Sequence, residues 1–192
     1  MPICISVFFM GEAMIETKRL LLRPLEERDL YRLVTELNNF NIARNTSRIA
    51  HPYLMSDARE FFEFVQALDQ NSLVCAIAIK TEPTQLVGII SYEYKASKND
   101  AELGYWLSEA EWGKGLMSEA ASAVVRHGFT VSKLEKIIAC YHNDNPISGR
   151  ILRKLGFEDI GQCASYSKAQ GKDVTVTELQ LRRERWLLKS QF

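Results

Sequence analysis

Cysteine, histidine and net charge are all in short supply, and each shortage closes off a class of function. The 192 residues hold four cysteines (Cys4, Cys75, Cys140 and Cys163), none in a C-x-x-C pair, and three dispersed histidines (His51, His127 and His142). A disulfide framework and a structural metal are therefore not expected. Cys75 and Cys140 lie in apolar runs, where a thiol behaves as a small hydrophobe. Basic and acidic residues number 24 each, so the formal charge is zero and neither nucleic acid nor a polybasic membrane contact is expected. The one local basic run, Arg182-Arg183-Glu184-Arg185, contains a glutamate and reads as a solvated strand end. The apolar start, Met1 to Met10, is too short to span a bilayer and lacks the positive region of a secretory signal. A reduced, cytoplasmic setting is the expectation.

Long linkers, repeats and low-complexity tracts are also missing, which favours one domain. The hydrophobic fraction of 46% and charged fraction of 25% are those of an ordinary globular chain. Met14 opens a segment that reads like a normal protein start. Residues 1–13 are accordingly read as an extension from an upstream start codon, with an extra strand or an oligomer contact as the competing reading. Residues 14–192 form the single domain.

What is present alternates between strand and helix signals. Arg19 to Arg23 reads as a strand, and Glu26 to Leu37 carries apolar residues at helical spacing. Ser56 or Asp57 caps a second helix with Phe61, Phe64, Val65 and Leu68 on one face. Leu73 to Lys80 and Leu86 to Tyr94 form a hairpin signature, and Ala101 to Leu107 adds a third strand. A helix from Leu116 to Phe129, a strand from Leu134 to Tyr141 and a helix from Asn145-Pro146 to Leu155 follow, with Gly156 suited to a left-handed cap. Strands around Ile160 to Ser167 and Val174 to Leu181 close the chain. This order predicts a mixed α/β sheet, antiparallel in the middle and carrying helical crossovers.

The richest segment is Tyr105-Trp106-Leu107-Ser108-Glu109-Ala110-Glu111-Trp112-Gly113-Lys114-Gly115-Leu116-Met117-Ser118-Glu119-Ala120. A strand runs into a Gly-Lys-Gly turn and then a helix. Glycines there let backbone N–H groups face a ligand, and the helix start adds partial positive charge. That is an anion cradle for phosphate or pyrophosphate, of neither the Walker A nor the G-x-G-x-x-G type.

Gly113 to Ala120, followed about thirty residues on by Asn145-Pro146-Ile147-Ser148-Gly149-Arg150-Ile151-Leu152-Arg153-Lys154-Leu155-Gly156-Phe157, resembles the GNAT acetyltransferase superfamily and its RimJ/RimL-type branch. Glu16 to Arg23 and Glu102 to Leu107 look like the same branch, so the likeness spans Ile15 to Leu181. The resemblance implies a GNAT-like α/β fold, a central mixed, mostly antiparallel sheet flanked by helices. It also implies an acetyl-CoA-dependent N-acyltransferase without metal, in which pantetheine lies between two splayed strands. Leu107 and Ser108 would offer backbone to the pantetheine. Trp112, Gly113, Lys114, Gly115, Leu116, Met117 and Ser118 would wrap the pyrophosphate, and Asn145 would approach the pantetheine arm. The superfamily pattern has Gln or Arg in place of Trp112 and Gly or Ala in place of Met117. A tyrosine that many members use to protonate the thiolate is replaced by Leu152, with Ser148 one turn earlier as the substitute.

The transfer needs a neutral amine. At pH 7 an α-amine is neutral roughly one time in seven and a lysine about one time in 2,500. Glu102, on an alternating strand that leads to the cofactor turn, is the candidate base, against a plain solvated or salt-bridged carboxylate; His142 and Glu93 are runners-up, and His142 sits in a polar loop that reads as surface. Ser148 is set against a first-turn serine and Asn145 against a plain N-cap. The acceptor is a protein N-terminal α-amine, as on a ribosomal protein, or a small-molecule amine. A very acidic acceptor groove would favour polyamines or aminoglycosides, and Asn38 to Arg48 does not supply one. A silent acyl-CoA-binding module is the non-enzyme alternative. A homodimer is left open.

Overall fold

A computed structural model describes residues 14–95 and 99–189; the upstream-start reading of residues 1–13 lies outside the described residues. The strands are β1 (Ile15–Glu16), β2 (Leu20–Arg23), β3 (Leu73–Ile79), β4 (Glu82–Lys95), β5 (Asp100–Leu107), β6 (Lys136–His142), β7 (Glu158–Ser167) and β8 (Lys172–Arg182). They form one sheet in the order β1-β2-β3-β4-β5-β6-β8-β7. Every neighbouring pair is antiparallel except β5 and β6, which run parallel. A parallel pair needs a crossover, and the helix after the glycine turn supplies it.

The helices are α1 (Leu30–Leu37), α2 (Phe40–Ala43), α3 (Met55–Gln66), α4 (Leu116–Thr130), α5 (Pro146–Leu155) and α6 (Arg183–Lys189). Alternation along the strands sends side chains to two cores. Cys75, Ile77, Leu103 and Leu179 pack against α4 and α5, while Ala76, Ile89 and the partly buried Trp106 pack against α1 to α3. The small-residue stripe of α4 (Met117, Ala120, Ala121, Val124 and Gly128) is buried as its spacing predicts. A Cβ on Gly128 would stand 3.0 Å from Leu134 Cδ1 and 3.2 Å from Ile137 Cδ1, so the helix lies as close to the sheet as glycine allows.

Three elements depart from the expected bounds. The polar stretch after α1 contains α2, whose start is capped by the Asn39 side chain accepting from the Asn41 N–H at 2.9 Å. The helix expected to be capped by Ser56 or Asp57 begins at Met55, and Asp57 instead accepts the N–H of Leu54 at 2.7 Å. The basic run read as a strand end straddles the junction of β8 and α6, where Trp186 reaches the Phe129 ring at 5.4 Å. Seven residues of helix hold too little periodicity to announce themselves.

Candidate active site

β5 and β6 pair only from Asp100↔Lys136 to Leu103↔Ala139, yet β5 continues to Leu107 and β6 to His142. Beyond Leu103 the two strands part, leaving backbone on both inner edges without a ladder partner. Beside this wedge between β5 and β6, the seat of α5 on β6 has a packing cause. A Cβ on Gly149 would come 2.6 Å from the Tyr141 ring, so this glycine lets α5 rest directly on β6.

The wedge opens toward the glycine turn. Gly113 and Gly115 adopt φ of +76° and +74°, the left-handed region that favours glycine. Among the described residues, no acceptor takes the N–H groups of Gly113, Lys114, Gly115, Leu116, Met117 or Ser118. A Cβ on Gly113 would meet nothing within 4 Å, so the turn faces open space. Free amides at the start of a 15-residue helix fit a diphosphate. Leu116 and Met117 bury their side chains and leave only backbone to the cradle. Lys114 turns its ammonium to Glu111 at 3.0 Å, and the Trp112 indole N–H donates to the Leu107 carbonyl at 2.8 Å. Ser108 donates its own N–H to Val87 O at 2.7 Å, while its buried hydroxyl has no partner among the described residues.

On the α5 side, Asn145 caps the helix by accepting from the Ser148 N–H at 3.3 Å, and Pro146 holds the first turn. Ser148 Oγ lies 2.9 Å from the Tyr105 hydroxyl. Burial pushes the Tyr105 phenol up to about 12, against the opposing hydrogen bond from Ser148, so it stays protonated and able to donate at neutral pH. Tyr105 entered the sequence reading only as a strand position. Its pairing with Ser148 joins residues 43 apart and leaves no local signal. Leu152 is fully buried in the core.

Across the sheet lies a cavity of about 660 Å³ walled by the α1 to α3 layer and by β4 to β8. Glu102 is in its floor, one residue before β5 and β6 part, and faces Glu93 directly across the strands. Arg48, from the loop before α3, pairs with Glu93 and brings Nη2 to 4.0 Å from Glu102. Asp57 and Glu60 of α3 and Glu178 of β8 add carboxylates, so five acidic side chains face two cations, Arg48 and Lys168. The acidity that Asn38 to Arg48 lacks thus comes from the sheet and α3, which the chain brings together only on folding. Cys140 also lines this space. Partial burial, with Glu178 and Glu102 nearby, holds its thiol at about 12, so it offers no thiolate nucleophile at neutral pH.

His142 departs most from expectation. It is the last residue of β6 and 3% exposed, rather than part of a surface loop. Its Nε2 lies 3.2 Å from Ser47 Oγ, which in turn lies 3.0 Å from Ser165 Oγ, and its Nδ1 has no hydrogen-bond partner among the described residues. Burial holds the imidazole below its usual range, partly offset by the Arg44 backbone and Asp144. The cover comes from a loop tied to the β7–β8 turn: Lys168 donates its N–H to Ser47 O at 3.0 Å, and Gln170 donates to Arg44 O at 2.9 Å.

Residues 19–158 match the family described as Acetyltransferase (GNAT) domain. An uncharacterized N-acetyltransferase of Bacillus subtilis, YoaA, is 30% identical over 159 residues, covering 82% of this chain and 89% of that one. The [Ribosomal protein uS5]-alanine N-acetyltransferase of Escherichia coli is 31% identical over 99 residues, half of this chain and 51% of its own. Among solved structures, a spermidine N-acetyltransferase from Vibrio cholerae in complex with CoA and spermine superposes with a TM-score of 0.76 at 21% identity, covering 89% of this chain and 99% of that one.

Proposed function

The chain belongs to the GNAT acetyltransferase family and is an acetyl-CoA-dependent N-acetyltransferase; from that premise we propose that it acetylates a primary amine held in the carboxylate-lined cavity, by direct attack in a ternary complex. The observation that carries this reading is the parting of β5 and β6 beyond Leu103, with the amide cradle at its outer end and Glu102 at its vertex.

Acetyl-CoA supplies an activated acyl carbon and a thiolate leaving group. The free amides of Gly113 to Ser118 hold its diphosphate, beside the exposed Trp112. The inner edge of β5 at Leu107, with the Ser108 hydroxyl and Asn145, lines the pantetheine path. Glu102 takes one proton from the acceptor's ammonium, directly or through water, and the neutral nitrogen forms the C–N bond as C–S breaks. Ser148 donates toward the departing sulfur, and the second amine proton leaves to solvent. Base and acid stand on opposite faces of the sheet, so acceptor and cofactor approach from opposite sides.

For the acceptor, a protein N-terminal α-amine is the first reading, supported by the relative that acts on a ribosomal protein alanine. The five carboxylates of the cavity support a second, a small polycationic amine. An acceptor screen by mass spectrometry, with Ala-peptides and di- and polyamines offered in parallel, tests both through a gain of one acetyl group. Acetyl-CoA binding with no acetylated product from any amine would leave a silent acyl-CoA-binding module.

A further inference from the structure

Thr17, Arg19 and Glu119 form a tight knot between the start of the chain and the glycine turn. Glu119 accepts from Thr17 Oγ1 at 2.6 Å, the Arg19 N–H at 2.8 Å and Arg19 Nε at 2.7 Å. These contacts hold its carboxyl below the usual range although burial opposes them. Arg19 Nη1 then donates to the Lys114 carbonyl at 2.8 Å, and Nη2 has no protein acceptor among the described residues.

The last bond bears on the cradle through peptide geometry. The Lys114 carbonyl and the Gly115 N–H belong to one trans peptide, so they point in opposite directions. Gripping the carbonyl fixes the amide on the other side. A glycine pair at positive φ is otherwise free to rotate that peptide. Nη2 also borders the open side of the turn, since a Cβ built on Gly115 would stand 3.7 Å from it with nothing else within 4 Å.

We propose that Arg19, held by Glu119 and Thr17, is a positioning residue for the diphosphate of acetyl-CoA: it sets the direction of the Gly115 amide and holds a cation at the cradle's edge. This rests on the acetyl-CoA reading. It also explains physically why the opening strand and the glycine turn, about a hundred residues apart, belong to one device.

Arg19→Lys and Arg19→Ala are compared with wild type by calorimetry with CoA and by kinetics. Lysine can pair with Glu119 but lacks the fork that reaches Lys114 O as well. The expected result is CoA affinity weaker by about ten- to a hundredfold in both variants, the scale of a lost hydrogen bond to a charged group. KM for acetyl-CoA rises while kcat is nearly unchanged. With S-acetylpantetheine, which lacks the diphosphate, kcat/KM should match wild type in Arg19→Lys, whose strand pairing is preserved. Wild-type CoA affinity in either folded variant overturns the proposal, as does an equal loss with S-acetylpantetheine. Absence of CoA binding by wild type itself would sink the acetyl-CoA reading and this inference together.

Discussion

The two faces of the parted strands are built from different materials. On the proposed cofactor face the groups open to a ligand are backbone amides, placed by a glycine turn and a helix start within six consecutive residues, Gly113 to Ser118. On the proposed acceptor face they are side chains from α3, β4, β5 and β8, closed over by a loop that reaches the β7–β8 turn. Backbone amides bind any diphosphate and tolerate side-chain change, provided the chain can adopt the turn. A cavity of side chains is specific and can be retuned one residue at a time. One surface suits a shared cofactor and the other a variable acceptor.

The largest effect should come from breaking the backbone surface. Gly115→Asp adds a side chain where φ is +74° and puts a carboxylate beside the diphosphate route. It should lower CoA affinity by more than about a hundredfold, because it both closes the cradle and repels the anion. Circular dichroism and the unfolding midpoint verify that the variant is folded. Near wild-type affinity would mean that the turn is not the cradle.

Next comes Glu102→Gln on the acceptor face. A general base is worth ~10²–10⁴-fold, and the low end is expected for an α-amine that is already partly neutral. CoA affinity should stay put, and the kcat deficit should shrink as pH rises and hydroxide takes over. Ser148→Ala should cost less, below about a hundredfold, since a thiolate leaves without full protonation. Tyr105→Phe should add nothing in the Ser148→Ala background if the phenol works only through that hydroxyl. A pH–rate series on one identified acceptor checks all three.

Smaller still is Arg48→Gln. Arg48 is 62% exposed while paired with Glu93 and, at 4.0 Å, with Glu102, so it competes with an incoming ammonium for the same carboxylates. Exposed pairs are worth ~0.2–1 kcal/mol, so KM for a diamine should fall by about two- to fivefold, with acetyl-CoA binding unchanged. A rise in KM would instead give Arg48 the task of holding an acceptor carboxylate.

The contrast also explains what was legible in the sequence. The glycine turn, the buried stripe of α4 and the β5–α4–β6 crossover follow from local signals: a strand, two glycines, a small-residue helix stripe and Asn145-Pro146 at a helix start. Ser148 is singled out by a local rule, since it lies one turn before Leu152 on the same helix face. Tyr105 beside Ser148, Arg19 beside Lys114 and the carboxylates around Glu102 were not found. Each joins residues separated by at least 43 positions or meets only when strands align in register. His142 was misread for the same reason, because the Ser47 and Ser165 cover that buries it comes from elsewhere in the chain.

The smallest effects are in the response to acid, measured on the ligand-free protein. His142 on the acceptor face is held below its ordinary 6.5 by burial, so the folded state resists a proton that the unfolded chain accepts. Stability is then full above pH 6.5 and declines as pH falls below it. His127, half-buried on α4 beside the Tyr92 hydroxyl at 2.8 Å, acts in the same direction. Glu119 on the cofactor face is held below its ordinary 4.5, so its contribution is full above that value and is lost only as pH falls through the lowered one. Unfolding midpoints between pH 7.5 and 3.5 should therefore show two windows. His142→Gln should flatten the slope just below 6.5 without removing the His127 share, and leave the lower window intact. Glu119→Gln should do the reverse. If both substitutions reshape the same window, His142 and Glu119 do not titrate independently and the assignment of the two windows fails.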